Sequence, residues 1–184
     1  MNIQDLRLLY EFNYWATRKI LTSAVKIDLE QFTAAALCNF GSLRGTLVHI
    51  LGSEWFWRQR CQNNTSPAAL LSQDEFPSLE PLRERWNEEE LSMLNYLASL
   101  SDEDLKTLVH YKRFGGEPRE NVLWHLLVHV VNHGTEHRSE AGALLTQYGA
   151  SPGDIDFVYF FTKSQLTALS GTESIQRISE FLIS

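Results

Sequence analysis

Four long stretches repeat apolar side chains at spacings of three and four, and that periodicity most narrows what the chain can become. Such a stripe covers one side of a helix and has to be buried against another element. The first stretch runs from Gln4 to Lys26, with Leu6, Leu9, Phe12, Ala16 and Ile20 in phase. The second carries Leu43, Leu47, Ile50, Leu51, Trp55 and Arg58 on to about Gln62, and Gly41-Ser42 offers its N-cap. Leu82, Trp86, Met93, Leu94 and Leu97 mark the third, from Leu79 to Leu100, with Pro81 in a first turn that needs no N–H there. The fourth begins near Pro118 and runs to Tyr148, where Gly149 is a stop signal.

Between the second and third stretches, Asn63 to Ser78 holds two prolines and polar residues and reads as a loop. A connection that long in a compact domain is functional or crosses from one end of a bundle to the other. Leu108 to Gly116, with Gly-Gly at the bend, predicts a small β-hairpin or flap before the fourth helix. Short helices are expected from Phe157 to Leu169 and from Ile175 to Leu182. No strand–helix alternation is present, so the expected class is all-α. The expected architecture is an antiparallel four-helix bundle with a crossover. One domain spans 1–184, with its core in about 4–163 and residues 164–184 as a C-terminal extension.

Charge and cysteine content narrow the partners. The chain has 16 basic and 23 acidic residues, a net charge of −7, which disfavours nucleic acid and anionic lipid. Its two cysteines, Cys38 and Cys61, form no CxxC pair and read as inert, in keeping with a reducing compartment. The N-terminal residues lack a basic segment followed by an apolar run, and the most apolar stretch, Val122 to Val131, is shorter than the roughly 20 residues of a membrane span. The expected setting is soluble and cytoplasmic.

The histidines carry the chemistry. Of six in the chain, four recur every fourth residue on the fourth helix: His125, His129, His133 and His137. Each step of four turns about 40° and climbs about 6 Å, so neighbours share a face while the outer two lie about 18 Å apart. Adjacent pairs are able to converge on one ion; all four are not. His125 and His129 stand among Val122, Leu123, Leu126, Leu127, Val130 and Val131 and read as core-like. His133 and His137 lie in the polar run Asn132, Gly134, Thr135, Glu136 and Arg138, which supplies partners for the far ring nitrogens. That pair is the better candidate. His49 on the second helix, flanked by Gly45, Thr46, Gly52 and Ser53, is the natural third ligand, because small residues admit a close approach. Three imidazoles leave a coordination position open, as catalytic zinc sites do. The motif has Gly134 where zinc proteases carry a glutamate base, and no Glu-x-x-His occurs, which argues against a di-iron carboxylate centre.

These residues also bring out a likeness. Glu11-Phe12-Asn13-Tyr14-Trp15-Ala16, Leu47-Val48-His49-Ile50-Leu51 with Glu54-Trp55-Phe56-Trp57, and His129-Val130-Val131-Asn132-His133-Gly134-Thr135-Glu136-His137-Arg138 resemble the signatures of the DinB family. Gly149 and Ser151 to Asp156 fit that family's ending, and the resemblance covers roughly residues 4 to 163. Carried over position by position, the family's metal triad falls on His49, His133 and His137, while His129 matches a frequent position outside the triad. The family usually reads His-His-Arg-Gly-Gln where this chain has Glu136-His137-Arg138-Ser139-Glu140; the ligand is kept and its neighbours differ.

The resemblance implies zinc or nickel, a small-molecule substrate, a homodimer, and chemistry of the kind performed by low-molecular-weight-thiol S-transferases and isomerases. Metal-dependent hydrolysis is the next reaction class, and a non-catalytic, stress-associated metal-binding dimer is the alternative. Glu54 is a candidate acid or base near the site, or an ion-pair partner for arginine. Arg138 is a candidate grip for an anionic substrate group, or a helix–helix salt bridge. Substrate choice is expected to lie with the Asn63–Ser78 loop and the Leu108–Glu117 flap.

Overall fold

Asn2 starts the first helix. Its side chain accepts from the Gln4 and Asp5 amides while the Asp5 carboxylate accepts from the Asn2 amide, which satisfies amides that have no partner within the helix. In this computed structural model, which describes residues 1–64, 66–113 and 115–161, α1 spans Ile3–Ala24. Its buried stripe is Leu6, Tyr10, Asn13, Tyr14, Thr17, Ile20 and Ala24, apolar except for Asn13 and Thr17. A short helix, α2 (Leu29–Thr33), capped by Asp28, follows α1. Helix α3 (Leu43–Asn63) starts at Ser42, whose hydroxyl accepts from the Gly45 amide, as the sequence predicts.

The long connection after α3 contains a 3₁₀ turn, Gln73–Glu75, before α4 (Leu79–Ser99). On α4 the buried positions are Leu82, Trp86, Glu89, Met93, Tyr96 and Leu97, whereas Leu94, expected in the stripe, is exposed. Glu89 is drawn inward by Arg58 of α3, which donates through Nε and Nη2 to both its carboxylate oxygens at 2.5 and 2.8 Å. A forked pair of this kind satisfies both ions inside the fold.

The expected hairpin is present: β1 (Leu108–Lys112) pairs antiparallel with β2 (Pro118–Val122), from Leu108 opposite Val122 to Lys112 opposite Pro118. This corrects the start of the fourth long helix, α5, which spans Leu123–Gln147 and not a segment from Pro118. Proline suits a first helical turn or the end of an edge strand equally well, since both dispense with its N–H. Here the ladder takes Pro118 to Val122, and the Leu123 amide donates to the Thr107 carbonyl at 2.9 Å. At the far end, Gly149 has φ +75° and donates to Thr146, while Ala150 donates to Leu145, closing α5 in the expected manner.

The chain is mostly helical with one two-stranded sheet among the described residues. It divides into two compact units, Met1–Pro152 and Gly153–Ser184. Within the first, α1 and α3 each pack against both α4 and α5, and the α3–α5 contact is the most extensive. In the second, residues 157–161 are helical; the rest of the helix expected to Leu169, and the one from Ile175 to Leu182, fall outside the described residues. No helix among the described residues is long and apolar enough to cross a membrane.

Candidate metal centre

The α3–α5 contact brings together three histidines far apart in sequence. His49 comes from α3, and His133 and His137 lie one turn apart on α5, as i, i+4 spacing requires. One ring nitrogen from each lies within 4.8 Å of the others, and the Nε2 atoms of His49 and His133 are 3.0 Å apart. Ring centroids are 4.8 Å apart for His49–His133 and His49–His137, and 4.5 Å for His133–His137. His137 is buried; the other two are half-buried.

The donor chemistry fits a cation. Burial, and after it the neighbouring imidazoles, which resist a second positive charge, push His49 down to about 4 and His133 to about 3, with Glu140 opposing the change at His49. Both rings are therefore neutral at pH 7 and keep a lone pair for an ion. Zinc–nitrogen bonds of about 2.0–2.1 Å in tetrahedral geometry place ligand nitrogens roughly 3.3 Å apart; the His49–His133 pair, at 3.0 Å, is near that spacing, and all three ligand nitrogens lie within 4.8 Å of one another. His137 has its Nδ1 2.8 Å from Oε2 of Glu140, which leaves Nε2 for a metal. The three residues could thus hold a metal ion.

The surroundings come from loops as much as from helices. Phe40, in the connection before α3, stacks on His49 with centroids 3.7 Å apart and meets His137 edge-on at 5.2 Å. The two glycines beside His49 admit these loop groups. A Cβ on Gly45 would run into the Phe40 carbonyl and lie 2.9 Å from Gln73 Nε2, and one on Gly52 would touch Leu71. His49, Phe40, Leu70, Leu71 and Gln73 line a pocket of about 180 Å³. Gly134 likewise serves an arginine: a Cβ there would lie 2.7 Å from Arg138 Nη1 and 3.1 Å from Asn13 Oδ1.

Glu54 and Arg138 are brought together in a buried network that joins α1, α3 and α5. Tyr14 donates to Glu54 Oε1 at 2.5 Å and Asn13 Nδ2 to Oε2 at 3.1 Å. Arg138 donates to Asn13 Oδ1 at 2.5 Å and to Thr135 Oγ1 at 3.0 Å. Asn13 therefore stands between the carboxyl and the guanidinium, and no hydrogen bond joins either to the three imidazoles. Burial raises Glu54 to about 7 against the lowering effect of Tyr14, and burial lowers Arg138 to about 10.

One expectation is corrected. His125 and His129 are exposed, not core-like: α5 turns Leu123, Leu126, Leu127, Val130 and Val131 inward and leaves these two rings outside that buried stripe. His129 meets Trp57 and His133 by ring contacts of 5.3 and 5.7 Å. Burial raises the Cys61 thiol to about 12, so it stays protonated, and Cys38 is half-exposed near Thr46. Sequence reasoning missed Phe40, Asn39 and Glu140. His137 and Glu140 are three apart on one helix, a spacing that puts them on one face, so that pairing had a signal. The loop residues had none.

The model of the DinB family matches residues 1–169. The chain is also similar to Protein DinB of Bacillus subtilis (strain 168), with 27% identity over 163 residues that cover 85% of this chain and 95% of that protein.

Proposed function

The chain belongs to the DinB family, and on that premise we propose that it is a metal-dependent enzyme. In this reading His49, His133 and His137 hold one zinc or nickel ion. The enzyme joins a low-molecular-weight thiol to an electrophile, or isomerises a substrate with the help of such a thiol. The observation that carries the reading is the convergence of three imidazoles from two helices on one point. A divalent ion there supplies Lewis acidity, which lowers the pKa of a bound water or thiol.

The chain's own residues do the remainder. The low proton affinities of His49 and His133 keep their lone pairs free at neutral pH. Phe40 covers one face of His49, and the pocket beside it opens onto His49. Glu54, Asn13 and Arg138 tie α1 and α3 to the turn of α5 that carries His137. The same reading takes the four long helices as an antiparallel bundle with the 64–78 connection crossing over, and the protein as a cytoplasmic homodimer that binds no nucleic acid.

The test is elemental analysis of protein purified without a metal-affinity tag. The expected result is about one equivalent of metal per chain, lost in His49→Ala, His133→Ala and His137→Ala and kept in His129→Ala. A wild type that carries no metal and takes up neither zinc nor nickel at neutral pH overturns the proposal. If the loaded protein is silent with thiols and electrophiles but cleaves esters or amides, the hydrolase reading replaces the transferase. Silence in both assays leaves the non-catalytic metal-binding reading.

A further inference from the structure

The three histidines are not held alike. His49 is stacked by Phe40, and His133 has its Nε2 turned to His49. Among the described residues, His137 is the ligand whose remote nitrogen meets a carboxylate, Nδ1 lying 2.8 Å from Glu140 Oε2. Glu140 is itself held at its other oxygen, where Asn39 Nδ2 donates at 2.6 Å. An ionised carboxylate only accepts, so the shared hydrogen sits on His137 Nδ1 and the lone pair is left at Nε2. Asn39 precedes Phe40, so the residue that fixes the carboxylate is next to the ring that covers His49 and touches His137.

Resting on the three-histidine reading above, we propose that Glu140 is a positioning residue for the metal. It fixes the tautomer and ring angle of His137 and strengthens its donor nitrogen, and Asn39 locks it in place. The effect works through charge and geometry together: a hydrogen-bonded carboxylate makes an imidazole more basic and removes the rotation that binding would otherwise have to freeze. Partners of this kind are worth about 10–100-fold in metal affinity.

The experiment measures zinc affinity of the metal-free protein by competition with a chromophoric chelator. Glu140→Ala is expected to weaken zinc binding about 10–100-fold. Glu140→Gln, whose amide oxygen still accepts from Nδ1 but carries no charge, should lose less, and Asn39→Ala less again. In the zinc-loaded wild type, nitrogen-15 NMR should show His137 protonated at Nδ1 and bound through Nε2. A merely structural Glu140 would change the melting temperature of the metal-free protein and leave these readouts alone. The Glu140 side chain is 26% exposed, so the metal-free variants are expected to melt with the wild type; should Glu140→Ala fail to fold, Glu140→Gln carries the comparison. Zinc affinity of Glu140→Ala equal to wild type, with His137→Ala unable to bind, overturns this inference and leaves the metal site standing. A wild type that binds no zinc overturns both.

Discussion

Replacing Glu54 by glutamine should remove a pH dependence of stability that the wild type carries. The carboxyl is fully buried, and burial raises it from an ordinary 4.5 to about 7, with Glu89 adding to the rise while Tyr14, Asn13 and Arg138 oppose it. A raised carboxyl means that the folded chain keeps its proton to about pH 7, whereas the unfolded chain gives it up near 4.5. Between those values the folded state binds more protons, so stability falls as pH rises, and above about 7 the loss is complete. Each pKa unit is worth about 1.4 kcal/mol, so the interval corresponds to about 3 kcal/mol.

Glutamine is nearly isosteric and cannot ionise. Its amide oxygen accepts from Tyr14 or Asn13 as the carboxylate does. Urea unfolding of wild type and Glu54→Gln, both metal-free, should be followed from pH 4.5 to 8. Titrations common to the two proteins, the histidines included, cancel in the difference. That difference should move in favour of the variant by about 3 kcal/mol across the range and level off above pH 7. A flat difference would refute the reasoning, because Glu54 would then titrate alike in the folded and unfolded chain, with Tyr14, Asn13 and Arg138 fully offsetting burial. A difference that moves the other way would mean a folded pKa below the unfolded one.

Two further perturbations separate the scaffold from the site. Glu89→Ala leaves Arg58 without its forked partner and should cost about 3–5 kcal/mol in urea unfolding while leaving metal content unchanged. Gly134→Ala puts a methyl 2.7 Å from Arg138 Nη1 and 3.1 Å from Asn13 Oδ1, so it should destabilise by about 1–3 kcal/mol, and alanine at Gly142, where the nearest atom is 3.4 Å away, should be tolerated better in the same measurement.

The helices were legible because their signals are local. Ser42 before α3, Pro81 in the first turn of α4 and Gly149 after α5 act within one turn of themselves, and the structure has each in the expected role. Pro118 was misread for the same reason: its neighbours in sequence do not say whether a strand is available to pair with. β1 makes that decision, with Lys112 opposite Pro118. Glu89 and Leu94 follow the same logic on α4. Hydrophobicity alone puts leucine inside and glutamate outside, yet Arg58 on another helix holds Glu89 inside while Leu94 is exposed.

The histidine cluster sits between these cases. Spacing selects His133 and His137 as a pair, but His125 and His129 have the same spacing, and nothing in the i, i+4 rule ranks one pair above another. The ranking depends on where α3 crosses α5, a tertiary fact that the polar residues around His133 and His137 reflect only indirectly. The apolar neighbours of His125 and His129 misled because a helix buries one side: the valines and leucines next in sequence point inward and the two imidazoles point out. The inverse holds for Asn13, Thr17 and Glu54. Polar residues on buried faces read as interruptions of the stripe, yet Asn13 links Glu54 to Arg138, with Thr17 3.4 Å from the same guanidinium. A polar break in an otherwise apolar face is therefore the sequence signal to pursue at such sites. An asparagine or glutamate retained there has to find its partners on other helices, and the partners found here include the arginine next to His137.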